Sequence, residues 1–205
     1  MVLPILVVLD GITVPEAKRI VSDVAAMYLT MNVTLAATYA PLSLKADGVA
    51  RDGQPTHAIS AALDAVQKRY PRPPAGAVLV HLLTAKDLVE DNNPQRDGTD
   101  QILGMADCIG GVRFVGEQFS VSEGRYRFAK AGAPDDLIVI GMAHEMGHLL
   151  GAQHHYGNCV EGRTRTPLFT GSCTAMSEFG PANSEIFGTF ERSVLRGYAD
   201  LVGTH

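Results

Sequence analysis

The chain has 205 residues, 46% of them hydrophobic, with a formal net charge of −5 and a mean hydropathy of +0.07, ordinary values for one soluble domain able to bury a sizeable core. Lysine and arginine are scattered rather than clustered, so no basic footprint exists for nucleic acid or an anionic membrane surface, and neither partner is expected. No uninterrupted apolar stretch approaches the roughly 18 residues needed to span a bilayer.

In chain order, Met1–Leu9 is apolar but lacks the basic start and small-residue cleavage site of a signal peptide, so Leu3–Leu9 reads as a buried first strand. If the protein is exported, the exporting segment lies outside these residues. Pro15 opens a helical stretch in which Ile20, Val21, Val24, Ala25 and Tyr28 recur at three-to-four spacing. Val33–Tyr39 is rich in strand formers. A second helix is expected from about Thr56 to Tyr70, with Ile59, Ala62, Leu63 and Val66 on one face and Pro71 ending it. Ala75–Leu83 follows as another buried strand.

Strand, helix, strand, helix, strand predicts an α/β fold on a largely parallel sheet with right-handed crossovers. Glu90–Asp100 is a polar loop holding Pro94 and Gly98. Its carboxylates Asp91, Asp97 and Asp100 miss the spacing of calcium-binding loops and read better as a solvated turn, so structural Ca2+ stays open. Gly111–Gly116 and Gln118–Val121 read as strand with glycines that permit bulges. Near the C-terminus Ile186, Phe187, Phe190, Val194, Leu195 and Tyr198 have helical spacing and predict a packed helix within 184–202.

The segment from Asp135 to Gly151 carries the chemistry. Asp135 or Asp136 is placed to cap a helix start and Gly151 to end it, and between them nearly every face is apolar, which predicts a central buried helix. His144 and His148 are four apart, on one face, at a separation that a single Zn2+ bridges. Glu145 is rotated by about 100° from His144, within reach of a metal-bound water without being a ligand. Past Gly151 the chain can turn back so that His154 supplies a third nitrogen. Three protein ligands leave a position open for water, the arrangement of a catalytic zinc site.

A lone buried histidine is more often a hydrogen-bonded core residue than a ligand, and a lone helix glutamate is unremarkable. The full pattern His-Glu-x-x-His-x-x-Gly-x-x-His is different: by chance it should arise in a chain of this length with probability on the order of 10⁻⁵. A carboxylate on a buried apolar helix is also costly unless used. Among the three cysteines, Cys159 and Cys173 are 14 positions apart around a polar loop. A bridge there would add about 3 kcal/mol on chain-entropy grounds; two reduced thiols are the alternative.

The segment His144–His154, HEMGHLLGAQH, resembles the zinc signature of the metzincin metallopeptidases, and Cys173-Thr174-Ala175-Met176-Ser177 resembles their Met-turn, with Met176 22 residues after His154. Val80–Leu88 and Gly104–Cys108 are similar to the strand and edge segment of the adamalysin, or reprolysin-like, branch. The likeness covers roughly residues 75–178. It is strong at the zinc motif and loose elsewhere, and it departs from the branch at His155, where adamalysins usually carry Asp directly after the third histidine. The C-terminal cysteines that adamalysins pair with their edge region are absent, which implies a free, buried Cys108.

The resemblance implies a zinc endopeptidase with one catalytic Zn2+ on His144, His148 and His154, and Glu145 as general base and acid. It implies a twisted, mostly parallel sheet with one antiparallel edge strand, and a single catalytic domain with subdomains 1–151 and 152–205. Met176 would lie as an apolar floor under the imidazoles. A peptide or protein substrate would pair antiparallel with the edge strand near Leu103, Gly104, Met105 and Ala106, while Leu168, Phe169 and Phe179 would shape the pocket after the cleaved bond. A secreted, monomeric protein is the matching expectation. The rival readings are a catalytically silent zinc-containing module that only holds a peptide, against which an intact Glu145 argues, and a metzincin of another branch.

Overall fold

The structure, a computed structural model, describes residues 1–50, 53–91, 103–125, 136–154, 175–176, 187 and 189–203. The apolar N-terminal run forms β1 (Val2–Asp10) and leads into α1 (Val14–Leu29). Thr13 starts that helix. Its hydroxyl accepts from the Glu16 N–H while the Glu16 carboxylate accepts from the Thr13 N–H, a reciprocal box that satisfies donors a helix start leaves open. There follow β2 (Thr34–Pro41), β3 (Gly48–Val49), β4 (Pro55–Ala58), α2 (Ile59–Arg69), β5 (Leu79–Thr84), β6 (Asp87–Val89) and β7 (Gly104–Ala106). A short 3-10 turn at Gly111–Arg113 precedes β8 (Phe119–Glu123), α3 (Asp136–Leu149) and α4 (Thr189–Val202).

Five strands make the main sheet in the order β2-β1-β5-β8-β7. β1 is parallel to β2 and β5, β5 is parallel to β8, and β7 lies antiparallel at the edge. Alternation along β1 sends Leu3, Ile5, Val7 and Leu9 into a core shared with α1 and α3, and Leu6 and Val8 into a second core shared with α2. With helices on both faces, β1 and β5 are buried along almost their whole length rather than alternating. The expected mostly parallel sheet with one antiparallel edge is the observed one.

A second, three-stranded sheet, β3-β4-β6, was not foreseen. Asp10, at the carboxyl end of β1, ties it to the main sheet. The buried carboxylate accepts from Lys86 Nζ at 2.6 Å, the Thr84 hydroxyl at 2.8 Å and the Leu44 N–H at 3.0 Å, and meets His57 Nε2 at 3.2 Å. Burial pushes this group up, but the hydrogen bonds from His57, Lys86, Leu44 and Thr84 outweigh it and hold the carboxyl well below the usual range. On the other side of its ring, His57 Nδ1 meets Asp47 at 3.2 Å.

Three local expectations are corrected. Thr56–Ala58 is strand rather than helix, because β4 pairs with β6 through Thr56↔Asp87, His57↔Leu88 and Ala58↔Val89; the helix begins at Ile59. Asp91 is an exposed turn residue, as expected, and also accepts from the Ser60 N–H at 3.1 Å at the start of α2. Gly111–Arg113 is a 3-10 turn rather than strand: Gly110 has φ +78°, and the Arg113 and Phe114 N–H groups bond back to Gly110 and Gly111. Cys108 is free, as expected, but half-buried rather than buried. Asp97, Asp100, Cys159 and Cys173 lie outside the described residues.

Candidate metal centre

Helix α3 forms because its circumference is almost wholly apolar: Ile138, Val139, Ile140, Met142, Ala143, Met146 and Leu149 are all buried. It stops where the chain adopts φ +87° at Gly151. The Gly151 N–H returns to the His148 carbonyl at 2.8 Å and the Ala152 N–H to the Gly147 carbonyl at 3.0 Å, a Schellman closure. A side chain at 151 is doubly barred, since a Cβ there would lie 2.5 Å from the Tyr198 ring. This reversal carries His154 back against the helix.

The three imidazoles converge. His144 Nε2 stands 2.9 Å from His154 Nε2, and His148 Nε2 is 3.0 Å from each of the other two. His144 Nδ1 lies 2.7 Å from the Ala175 carbonyl and His148 Nδ1 lies 2.8 Å from the Ala152 carbonyl. A carbonyl only accepts, so these two rings carry their protons on Nδ1 and present Nε2 lone pairs to one another. Burial pushes the His148 pKa down, which favours the neutral ring a metal needs.

Lone pairs this close repel unless a cation shares them. Their separations approach the about 3.3 Å edge of a nitrogen tetrahedron around one Zn2+. Among the described residues these three histidines are the group able to hold a metal ion. Three imidazoles, two of them backed by backbone carbonyls, are the donor set and supporting shell that Zn2+ takes in catalytic sites.

Glu145 is buried beside this cluster. Burial pushes its carboxyl up to about 8, opposed by a hydrogen bond from the Ala106 N–H. β7 passes directly against it: a Cβ on Gly104 would stand 2.5 Å from Glu145 Cγ and 2.5 Å from the Val121 carbonyl oxygen. The Glu123 N–H donates to the Leu103 carbonyl and the Asp107 N–H to the Phe119 carbonyl. The antiparallel alternation therefore turns the backbone groups of Gly104 and Ala106 away from β8, toward the open edge.

Met176 is fully buried, and its sulfur lies where a Cβ on Gly147 would come within 2.7 Å. Thus His144, Glu145, His148, His154, Ala175–Met176 and the edge strand Gly104–Ala106 are brought together, whereas Phe179, Leu168, Phe169 and His155 lie outside the described residues. Sequence reasoning missed the carbonyls of Ala152 and Ala175, which no residue type signals. It also missed Tyr28, whose buried hydroxyl donates to the Ala143 carbonyl at 3.2 Å, beside His144.

A family model of the M12B metallopeptidases, described as reprolysin-like, matches residues 15–155, from the first helix through all three histidines. The chain belongs to the reprolysin-like M12B metallopeptidase family. As a member it is a zinc-dependent hydrolase of peptide bonds that uses one Zn2+ and acts on a protein or peptide. Two solved structures share the fold of this metallopeptidase. Archaemetzincin from Methanopyrus kandleri is 17% identical with a TM-score of 0.65, over 97% of this chain and 96% of that one. A zinc-dependent peptidase from Methanocorpusculum labreanum is 15% identical with a TM-score of 0.54, over 93% of this chain and 99% of that one. No curated protein matches in sequence. No helix among the described residues is long and apolar enough to cross a membrane.

Proposed function

We propose that the metallopeptidase is an endopeptidase in which His144, His148 and His154 hold the Zn2+ and Glu145 is the general base and acid. The observation that carries this is the meeting of three Nε2 atoms within 3.0 Å, with the rings of His144 and His148 oriented by backbone carbonyls. When bound, Zn2+ polarises the scissile carbonyl and lowers the pKa of water toward neutrality. Glu145 takes a proton from the attacking water and delivers it to the leaving nitrogen. Its buried, poorly solvated carboxyl is suited to both acts near neutral pH.

An extended peptide pairs antiparallel with β7, using the outward backbone groups of Gly104 and the Ala106 carbonyl for affinity, with Leu103 and Met105 beside it. Met176, packed against α3 at Gly147, is the floor residue of a Met-turn. We read residues 1–151 and 152–205 as two subdomains of one catalytic domain, secreted and monomeric, with Cys159 paired to Cys173. The test compares wild type with Glu145→Gln for zinc content and for cleavage of a quenched peptide library. Stoichiometric zinc in both, with kcat lowered by about 10²-fold or more in the variant, supports the assignment; equal cleavage by both overturns it. Zinc in both with cleavage by neither would favour a peptide-holding module.

A further inference from the structure

The carbonyl of His148 accepts two N–H groups from separate parts of the chain. Gly110, in the connection between β7 and β8, donates to it at 2.8 Å, and Gly151, in the reversal after α3, donates at 2.8 Å as well. Both donors have positive φ, +78° and +87°. Both also pack on one ring. A Cβ on Gly110 would come within 2.9 Å of Tyr198 Cε1 and 3.0 Å of its hydroxyl, and a Cβ on Gly151 within 2.5 Å of Tyr198 Cε2 and 2.8 Å of its Cδ2. The two glycines therefore meet opposite edges of the same half-buried ring. Helix α4 carries that ring, and its Leu195 and Ala199 are fully buried in the core shared with α1 and α3. Positive φ accounts for glycine at 110 and 151, but not for an aromatic ring from a distant helix that closes on both.

We propose that Tyr198 is a positioning residue for two of the three zinc ligands, His148 and His154. This role rests on the reading of the three histidines as the ligands. The turn at Gly151 and Ala152 serves both residues. The Ala152 carbonyl accepts from His148 Nδ1 at 2.8 Å, which fixes that ring and its tautomer, and the reversal returns His154 until its Nε2 stands 3.0 Å from His148 Nε2. Glycine permits such a turn without holding it, because its backbone has more conformations open to it than that of any other residue. Tyr198 supplies the restraint. Its ring fills the space beside Gly151 on one edge and beside Gly110 on the other, which keeps both N–H groups on the His148 carbonyl. Groups behind the ligands commonly set metal affinity by tenfold or more. A ring that merely filled core space would add to folding stability and leave the zinc affinity of the folded protein alone.

The test measures the zinc Kd by competition with a chelator of known affinity, at a temperature where thermal unfolding shows each variant to be folded. Tyr198→Leu and the more flexible Tyr198→Met keep apolar bulk but no rigid ring, and each is expected to raise Kd about tenfold or more. Tyr198→Phe keeps the ring and should stay within about twofold of wild type. Leu195→Ala removes a fully buried side chain from the same helix. It should lower the melting temperature and leave Kd within about twofold, which separates ligand positioning from general stability. An unchanged Kd in Tyr198→Leu and Tyr198→Met, or an equal rise in Leu195→Ala, overturns the role of Tyr198 and leaves the ligands as assigned. Wild type that takes up no zinc, or His154→Ala that binds it as tightly as wild type, removes the ligand assignment together with this one.

Discussion

The backbone of Gly104 and the side chain of Glu145 occupy adjoining space with no gap for a methyl group: a Cβ at 104 would meet Glu145 Cγ at 2.5 Å and the Val121 carbonyl oxygen at the same distance. The carbonyl belongs to a paired strand and cannot retreat. Gly104→Ala must therefore push β7 outward or turn Glu145 away, and either disturbs the contact between the Ala106 N–H and the carboxylate. We expect kcat/KM to fall by about tenfold or more, with zinc content unchanged, because misplacing a catalytic group by a fraction of an ångström is costly. Steady-state kinetics with metal analysis on the same preparation reads both.

Gly151 has a different task. Its φ of +87° and the Tyr198 ring beside it both exclude a side chain. Gly151→Ala is expected to destabilise the protein by roughly 1–3 kcal/mol and to weaken zinc binding, since the turn it makes is what returns His154 to the other two rings. Thermal unfolding and zinc titration should both move. An unchanged zinc affinity would show that His154 reaches the cluster by another constraint.

Glu123 yields a pH prediction. It is buried at the end of β8, where it accepts from the Leu88 N–H at 2.8 Å. Burial first, and then the charge of Asp87, push it up to about 8, although the Leu88 hydrogen bond opposes them. A raised folded-state pKa means the folded protein holds the proton more tightly than the unfolded chain does. Its contribution to stability is thus complete below the unfolded value of about 4.3 and declines by up to about 1.4 kcal/mol per pH unit as pH rises toward 8. Glu123→Gln, which keeps an acceptor for Leu88 and has no charge, should flatten this dependence. The melting-temperature gain over wild type is expected to be larger at pH 8 than at pH 5.

Zinc removal should lower stability as well as abolish activity. The three facing Nε2 atoms repel when nothing neutralises their lone pairs, and any ligand that binds the folded state alone stabilises by mass action, about 4 kcal/mol at a thousandfold excess over Kd. Chelation is expected to lower the melting temperature, and stoichiometric Zn2+ to restore it. A melting temperature indifferent to zinc would contradict the histidine assignment.

The metal motif was legible in the sequence because it is local. His144 and His148 are joined by the period of one helix, Gly151 is required by the reversal that follows, and His154 is three residues further on. The parallel sheet was legible because central strands are continuously apolar and the intervening helices show their own period. The start of α2 was placed too early because the apolar period that begins at Ile59 does not mark where the helix starts, and pairing to β6 holds Thr56–Ala58 as strand. Gly111–Gly116 was misjudged because Val112, Phe114 and Val115 are strand formers and only the contacts of Gly110 and Gly111 make Gly111–Arg113 a turn.

By itself, then, the sequence pointed to the three histidines able to hold a metal, to Glu145 beside them and to the layered α/β plan, through spacing and periodicity, and to the edge strand through its resemblance to the metzincins. The tertiary structure alone decided that Gly104 abuts Glu145, that the Ala152 and Ala175 carbonyls orient two of the imidazoles, and that Asp10 fastens a second sheet through His57 and Lys86. Each of these joins residues from separate elements or depends on a backbone group every residue shares, so it follows from how the elements pack and from no pattern along the chain.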